Sequence, residues 1–174
     1  LAPYRLAEME HHEIARFECD WNWKATLDNF SEAYHQPTIH SGFDPEVPGR
    51  LAVYEEVDGP YNLFWLRKAD GERFPTVRAP MDDLPEAYRR RCAIVNVFPL
   101  LHLLVDPGMA LWLDWEITGP ETHTMVWHVL VPKGKVPPDD VPAFIQDILV
   151  FQQQIFDEDV GACSGVRRGA RSRL

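Results

Sequence analysis

Cysteine is scarce and unpatterned in this chain. Cys19, Cys92 and Cys163 are odd in number and far apart, and they form no Cys-x-x-Cys or Cys-x-His pair. No zinc or iron–sulfur site is therefore visible, and reduced thiols in a cytoplasm are expected. Long hydrophobic runs are also missing. The longest, Val97 to Val105, is broken by Pro99 and His102 and falls far short of the ~20 residues that span a bilayer. No membrane partner is expected. Basic charge is in short supply: the net charge is −10, and the last eight residues carry four of the 17 bases (Arg167, Arg168, Arg171, Arg173), leaving −14 on the rest. Such a body repels nucleic acid, and the basic tail reads as cations placed near the C-terminus of a long helix. The chain opens on Leu1-Ala2-Pro3, without an initiator Met or a basic-then-apolar leader, so a piece of a longer protein is expected. Low-complexity linkers and repeats are lacking too, and the 15 prolines and 10 glycines are spread as punctuation.

What remains is a globular composition, 45% hydrophobic and 25% charged over 174 residues, and that length suits one domain. A chain of this size buries roughly 70% of its unfolded surface without staples, so any metal it carries serves function rather than folding. Between Leu51 and Val131 the chain reads as β-structure cut by turns. Leu51 to Val57 and Tyr61 to Arg67 flank Asp58-Gly59-Pro60 as a hairpin. After a Pro-rich stretch (Pro75, Pro80, Pro85), the segments Cys92 to Val105, Ala110 to Ile117 and His123 to Val131 read as an antiparallel meander of three strands. The residues before the first helix read as a short strand or loop.

Two stretches have helical spacing. Trp23, Leu27, Phe30 and Tyr34 form one stripe, and Pro37 is expected to end that helix near His35. Asp28, Glu32 and His35 then fall together on a different face. A second helix opens at Asp139 or Asp140 with Pro142 in its first turn and runs to about Arg168, roughly 40 Å. Its apolar stripe is Phe144, Ile148, Phe151 and Ile155, continued by Ala162 and Val166, and the position after Ile155 is Asp159. An antiparallel sheet with a long helix across one face, enclosing a cavity, is an α+β helix-grip architecture.

A carboxylate on a buried stripe needs a positive partner. Asp159 could meet a buried arginine such as Arg67 or Arg91, or sit on a stripe that rotates into water. The other candidates are His35 and His40. Five residues turn a helix about 140° past a full turn, but a chain break at Pro37 lets both imidazoles converge. Two imidazoles and one carboxylate suit ferrous iron with open positions; zinc would bind as well, but no motif supplies the general base of a hydrolytic site. His102 could line the cavity or be a satisfied core histidine, and His11, His12, His123 and His128 read as surface or strand residues. Phe64, Trp65, Phe98, Trp112, Trp115 and Trp127 alternate on strands, so about half should face inward.

The run WNWKATLDNFSEAYHQPTIH, Trp21 to His40, resembles the N-W-K, D-N-F, E-x-Y-H-x-x-x-x-H run of Rieske non-haem iron oxygenase large subunits. NVFPLLHLLVDPGMALWLDWEITGP resembles that family's strand pair after an F-P step, and IFDEDVGACSGVRRGARSR its terminal E-D followed by a Q-R-G-like segment. The resemblance implies that residues 1–174 are the catalytic domain, a helix-grip (START-like) fold, with the N-terminal Rieske domain absent from this chain. It implies His35, His40 and Asp159 as ligands of Fe(2+), and Glu32 as an acidic bridge that receives electrons and hydrogen-bonds His35. The activity implied is a ring-hydroxylating mono- or dioxygenase that takes O2 and a small, plausibly aromatic, organic substrate. A Rieske 2Fe–2S cluster on a missing domain or partner would supply electrons, fed by a reductase or ferredoxin, in a homotrimer. Ser164 and Arg167 stand where the family often shows Glu and Gln, and the Cys-x-His, Cys-x-x-His cluster signature is absent. The rival reading is a non-catalytic helix-grip module that binds a hydrophobic ligand.

Overall fold

A computed structural model describes residues 1–74 and 81–172 of the chain. Pro75, Pro80 and Arg173 lie outside the described residues. Seven strands form one antiparallel sheet: β1 (Met9–Cys19), β2 (Val53–Tyr54), β3 (Tyr61–Arg67), β4 (Arg91–Val97), β5 (Leu101–Val105), β6 (Ala110–Gly119) and β7 (Thr122–Pro132). Their spatial order is β1-β7-β6-β5-β4-β3-β2. The α-helices are α1 (Trp23–Phe30), α2 (Gln36–Ile39), α3 (Glu86–Arg89) and α4 (Val141–Ala170). None is long and apolar enough to cross a membrane. This is the expected α+β helix-grip fold, with α4 across the sheet.

Several boundaries differ from expectation for local reasons. The stretch Cys92 to Val105 is two strands, split at Phe98-Pro99-Leu100, because proline cannot donate to a central ladder. The N-terminal stretch, expected as a short strand or loop, is the eleven-residue β1, paired along β7 with a shift between Glu13 and Ala15 that breaks the strict alternation.

Alternation sorts the strands into two faces. Leu111, Leu113 and Trp115 of β6 and Met125 and Trp127 of β7 face α4, while Trp65, Ala93, Val95 and Val105 face the opposite side, against Tyr4, Met81 and Leu84. Of the six aromatics flagged by alternation, Phe64, Trp65, Trp115 and Trp127 are buried, whereas Phe98 is exposed at the turn. All three cysteines are free and buried.

Helix α4 begins where the sequence places it, after Asp140 with Pro142 in the first turn. Its buried stripe is Phe144, Ile148, Gln152, Phe156, Asp159 and Cys163, not the Phe151, Ile155 and Val166 row. Phe156 packs against Phe17 and Trp127, with ring centroids 5.1 and 5.5 Å away, and this contact sets the rotation of the helix. Phe151 is left half-exposed, beside Phe43, where it lines a cavity.

A candidate metal centre at the end of a cavity

The segment carrying the histidines is fixed from both sides. Asn22 caps α1 by accepting from the Lys24 amide, and Trp21 Nε1 donates to Thr26 Oγ1 at 2.7 Å. His123, fully buried in β7, bonds the Trp21 carbonyl through Nδ1 and Thr26 through Nε2, which ties α1 to the sheet. Burial lowers the His123 pKa and keeps this ring neutral.

Helix α1 stops at Phe30, five residues before the expected end at His35. Two sheet asparagines take its last carbonyls: Asn96 Nδ2 donates to Phe30 O at 2.9 Å and Asn62 Nδ2 to Ser31 O at 2.8 Å. The chain then turns through Glu32 to His35, and Gln36 opens α2 with Pro37 in its first turn, where a missing N–H costs nothing. Glu32 therefore sits in a turn and not on the first helix, Asp28 stays exposed on α1, and Tyr34, expected on the apolar stripe, is exposed.

His35, His40 and Asp159 nevertheless meet, offering three ligand atoms that lie within 4.8 Å of one another. The two Nε2 atoms are 3.2 Å apart, and Asp159 Oδ1 lies 3.1 Å from His40 Nε2 and 3.7 Å from His35 Nε2. Asp159 meets neither of the suggested arginines. Arg91 instead stacks over Trp65 and Tyr88.

Each imidazole is held from behind by an acid. His35 Nδ1 is 2.6 Å from Glu32 Oε1, and His40 Nδ1 is 2.8 Å from Glu158 Oε2. A carboxylate only accepts, so each Nδ1 carries a proton, and a ring without a second proton presents a bare Nε2. Glu32 Oε2 also accepts from the backbone amides of Tyr34 and His35, which fixes the carboxylate itself. Asn29 Nδ2 donates to Asp159 Oδ1 at 2.8 Å. Glu158 and Asn29 were not singled out from sequence, although they are the first residue of the E-D pair and the middle residue of D-N-F.

Two bare nitrogens and a carboxylate oxygen aimed at one point repel unless a cation joins them. Burial alone would lower the His40 pKa, but the hydrogen bonds and charges of Asp159 and Glu158 outweigh it and raise it. At metal–donor bonds of about 2.1 Å, donors at right angles stand about 3.0 Å apart, close to two of the three spacings here. The donor set fits a divalent ion that keeps open positions.

Beside the triad lies a cavity of about 370 Å³ under α4. Its wall is mostly apolar, with Phe64, Leu104, Leu113, Trp127 and Ile148 among its residues, and His102 and Asp106 add polar groups. Burial pushes the Asp106 carboxyl up to about 6, although its backbone hydrogen bonds from Gly108 and Met109 oppose that shift.

The family profile for the ring hydroxylating alpha subunit (catalytic domain) matches residues 6–174. No curated protein matches the chain by sequence. Solved structures with the same fold include naphthalene 1,2-dioxygenase from Rhodococcus sp. bound to indole (TM-score 0.69, 18% identity, 92% of this chain and 44% of that one). The quaternary ammonium Rieske monooxygenase CntA, in complex with an inhibitor, superposes at TM-score 0.68 and 19% identity, over 94% of this chain and 40% of that one. Dicamba monooxygenase bound to 3,6-dichlorosalicylic acid does so at 0.61 and 13%, over 96% and 54%. The chain thus spans roughly half or less of the length of these structures.

Proposed function

Because the chain belongs to the ring hydroxylating alpha subunit family, through that family's catalytic domain, we propose that it holds a ferrous ion between His35, His40 and Asp159 and inserts oxygen from O2 into a small organic substrate. The observation that carries this reading is the convergence of two bare Nε2 atoms and one carboxylate oxygen at the end of an apolar cavity. A ferrous ion bound there would supply the redox chemistry that turns dioxygen and electrons into an oxidant for carbon.

The protein's own groups do the rest. Glu32 and Glu158 hold the two rings in the Nδ1–H tautomer and keep them basic toward a metal. Asn29 orients Asp159. The apolar wall binds the substrate and excludes water next to the site. Electrons come, on this reading, from a Rieske 2Fe–2S cluster on another domain or subunit, fed by a reductase or ferredoxin, in a cytoplasmic ring of three chains. Glu32 is the bridge for them, since its side chain keeps 15% of its surface open and touches His35 directly.

Anaerobic titration of the protein with ferrous ion tests the assignment. One ion per chain is expected, with His35→Ala and Asp159→Ala each abolishing it. Stoichiometric binding that survives both substitutions would remove these residues from the metal. Failure of the unsubstituted chain to take iron would favour the ligand-binding module.

A further inference from the structure

His102 stands on β5, facing α4, and is 94% buried, yet it lines the cavity. Its protonation is settled by a chain of amides that ends on backbone. Asn62 Nδ2 donates to Ser31 O and Asn96 Nδ2 to Phe30 O, and a carbonyl oxygen only accepts, so both amide orientations are fixed. Asn62 Oδ1 accepts from Asn96 Nδ2 at 3.0 Å. Asn96 Oδ1 is thus an acceptor, and it lies 2.7 Å from His102 Nδ1. The Nδ1 atom must carry the proton. Nε2 is then a bare acceptor, and it is not among the buried atoms left without a partner, so it opens onto the cavity. Phe30 packs against the ring at 5.0 Å between centroids and holds it in place. Burial pushes the His102 pKa down to about 3, so protonation does not satisfy Nε2 at neutral pH.

A neutral, rigid acceptor that opens onto an apolar cavity pairs with water until a donor-bearing ligand displaces that water. We infer that His102 Nε2 accepts a hydrogen bond from the substrate, and that among neutral, largely apolar compounds the cavity selects those bearing a hydroxyl or N–H donor. This deepens the oxygenase reading, on which it rests for the word substrate. The polar wall supports the same selection. Besides His102 it includes the Asp106 carboxyl, another acceptor, whose Oδ1 is already taken by the Gly108 and Met109 amides, and the neutral amides of Gln36 and Gln152. Away from the His35, His40 and Asp159 cluster, the basic side chain among the lining residues is Lys68, which pairs with Asp70. Outside that cluster, a carboxylate substrate would find no unpaired lysine or arginine among the described lining residues. A fully substituted ammonium has no donor to give.

Matched pairs that differ by one donor hydrogen test the inference on the chain before any iron is added. Phenol and anisole, 2-naphthol and 2-methoxynaphthalene, and 4-phenylphenol and 4-methoxybiphenyl are titrated by calorimetry. In each pair that binds, the phenol is expected to bind about 3- to 10-fold tighter, the worth of one net hydrogen bond. His102→Phe, which keeps a ring against Phe30, is expected to erase that ratio. A second readout needs no variant. Imidazole nitrogen NMR is expected to show the Nδ1–H tautomer in the free chain, and an Nε2 shift with 2-naphthol but not with its methyl ether. Equal affinities within every pair, binding of no pair, or a protonated Nε2 in the free chain would each overturn the inference. Iron stoichiometry is measured separately. A His102→Phe chain that still takes one ion but no longer discriminates places the effect in the cavity, whereas a chain that discriminates but takes no iron leaves the hydrogen bond standing and removes the metal assignment.

Discussion

Asn29 and Asp159, 130 residues apart, are joined by a single hydrogen bond of 2.8 Å from amide to carboxylate. It is the link through which α1 positions the carboxylate of α4, and it occupies the oxygen that also faces His40.

Removing that link should loosen the carboxylate without deleting a ligand. Asn29→Ala is expected to weaken ferrous binding ~10- to 100-fold while the stoichiometry stays at one per chain. Anaerobic competition against a chelator measures it, and an unchanged affinity would show that Asp159 is held by other groups.

Glu32 does two separable things on this structure. Its Oε1 accepts from His35, and its Oε2 accepts from two backbone amides. In Glu32→Gln an NH2 group must face either the amides or the ring, so iron affinity should fall within the same ~10- to 100-fold range. If Glu32 also bridges electrons, turnover driven by the electron donor should collapse even at saturating iron. Product formation with peroxide in place of O2 and electrons should persist. Normal donor-driven turnover in the intact enzyme, with the cluster-bearing domain present, would remove the bridging role.

Asp106 gives a pH dependence with a definite sign. Its folded pKa is raised to about 6, above the ordinary carboxylate range, chiefly by burial. The folded state therefore holds its proton more tightly than the unfolded state. The associated stability is full below about pH 4 and is lost as pH rises toward 6. Asp106→Asn keeps an oxygen for the Gly108 and Met109 amides and removes the buried charge. Thermal unfolding from pH 4 to pH 8 should show the variant gaining on the parent across that interval, by on the order of 1–3 kcal/mol at neutral pH. A difference that does not change with pH would contradict the buried-charge account.

Gly49 is required by close approach. A Cβ there would stand 2.0 Å from the Ala33 carbonyl oxygen and 2.9 Å from Gln36 Oε1, either side of His35. Gly49→Ala is expected to displace the 33–36 turn, lowering both thermal stability and iron affinity. Gly42→Ala, where nothing lies within 4 Å, is the control that should change neither. Equal behaviour of the two variants would show that the turn tolerates the shift.

Much of the architecture was legible without coordinates. Helix α4 announced itself through Asp140, Pro142 and a long apolar spacing, and the strands from Tyr61 onward through alternation and turn residues. The triad was legible because its residue types are unusual where they stand: two histidines around a proline, and an aspartate on an apolar stripe. The errors have a common origin. The end of α1 at Phe30 is set by Asn62 and Asn96, and the rotation of α4 by Phe17 and Trp127, all distant in the chain. Local periodicity carries no information about such partners.

The sequence by itself determined which segments repeat with period two or near 3.6, and which side chains could act as metal donors, because these are properties of neighbouring residues. Tertiary structure decided which nitrogen of His35, His40 and His102 is bare, since a tautomer depends on the partner that takes the other proton. Those partners are Glu32, Glu158 and Asn96. Tertiary structure also decided that Phe151 borders a cavity instead of filling a core, because that depends on the rotation of α4 that Phe156 takes against Phe17 and Trp127. The donors were written in the chain, and their direction was written in the packing.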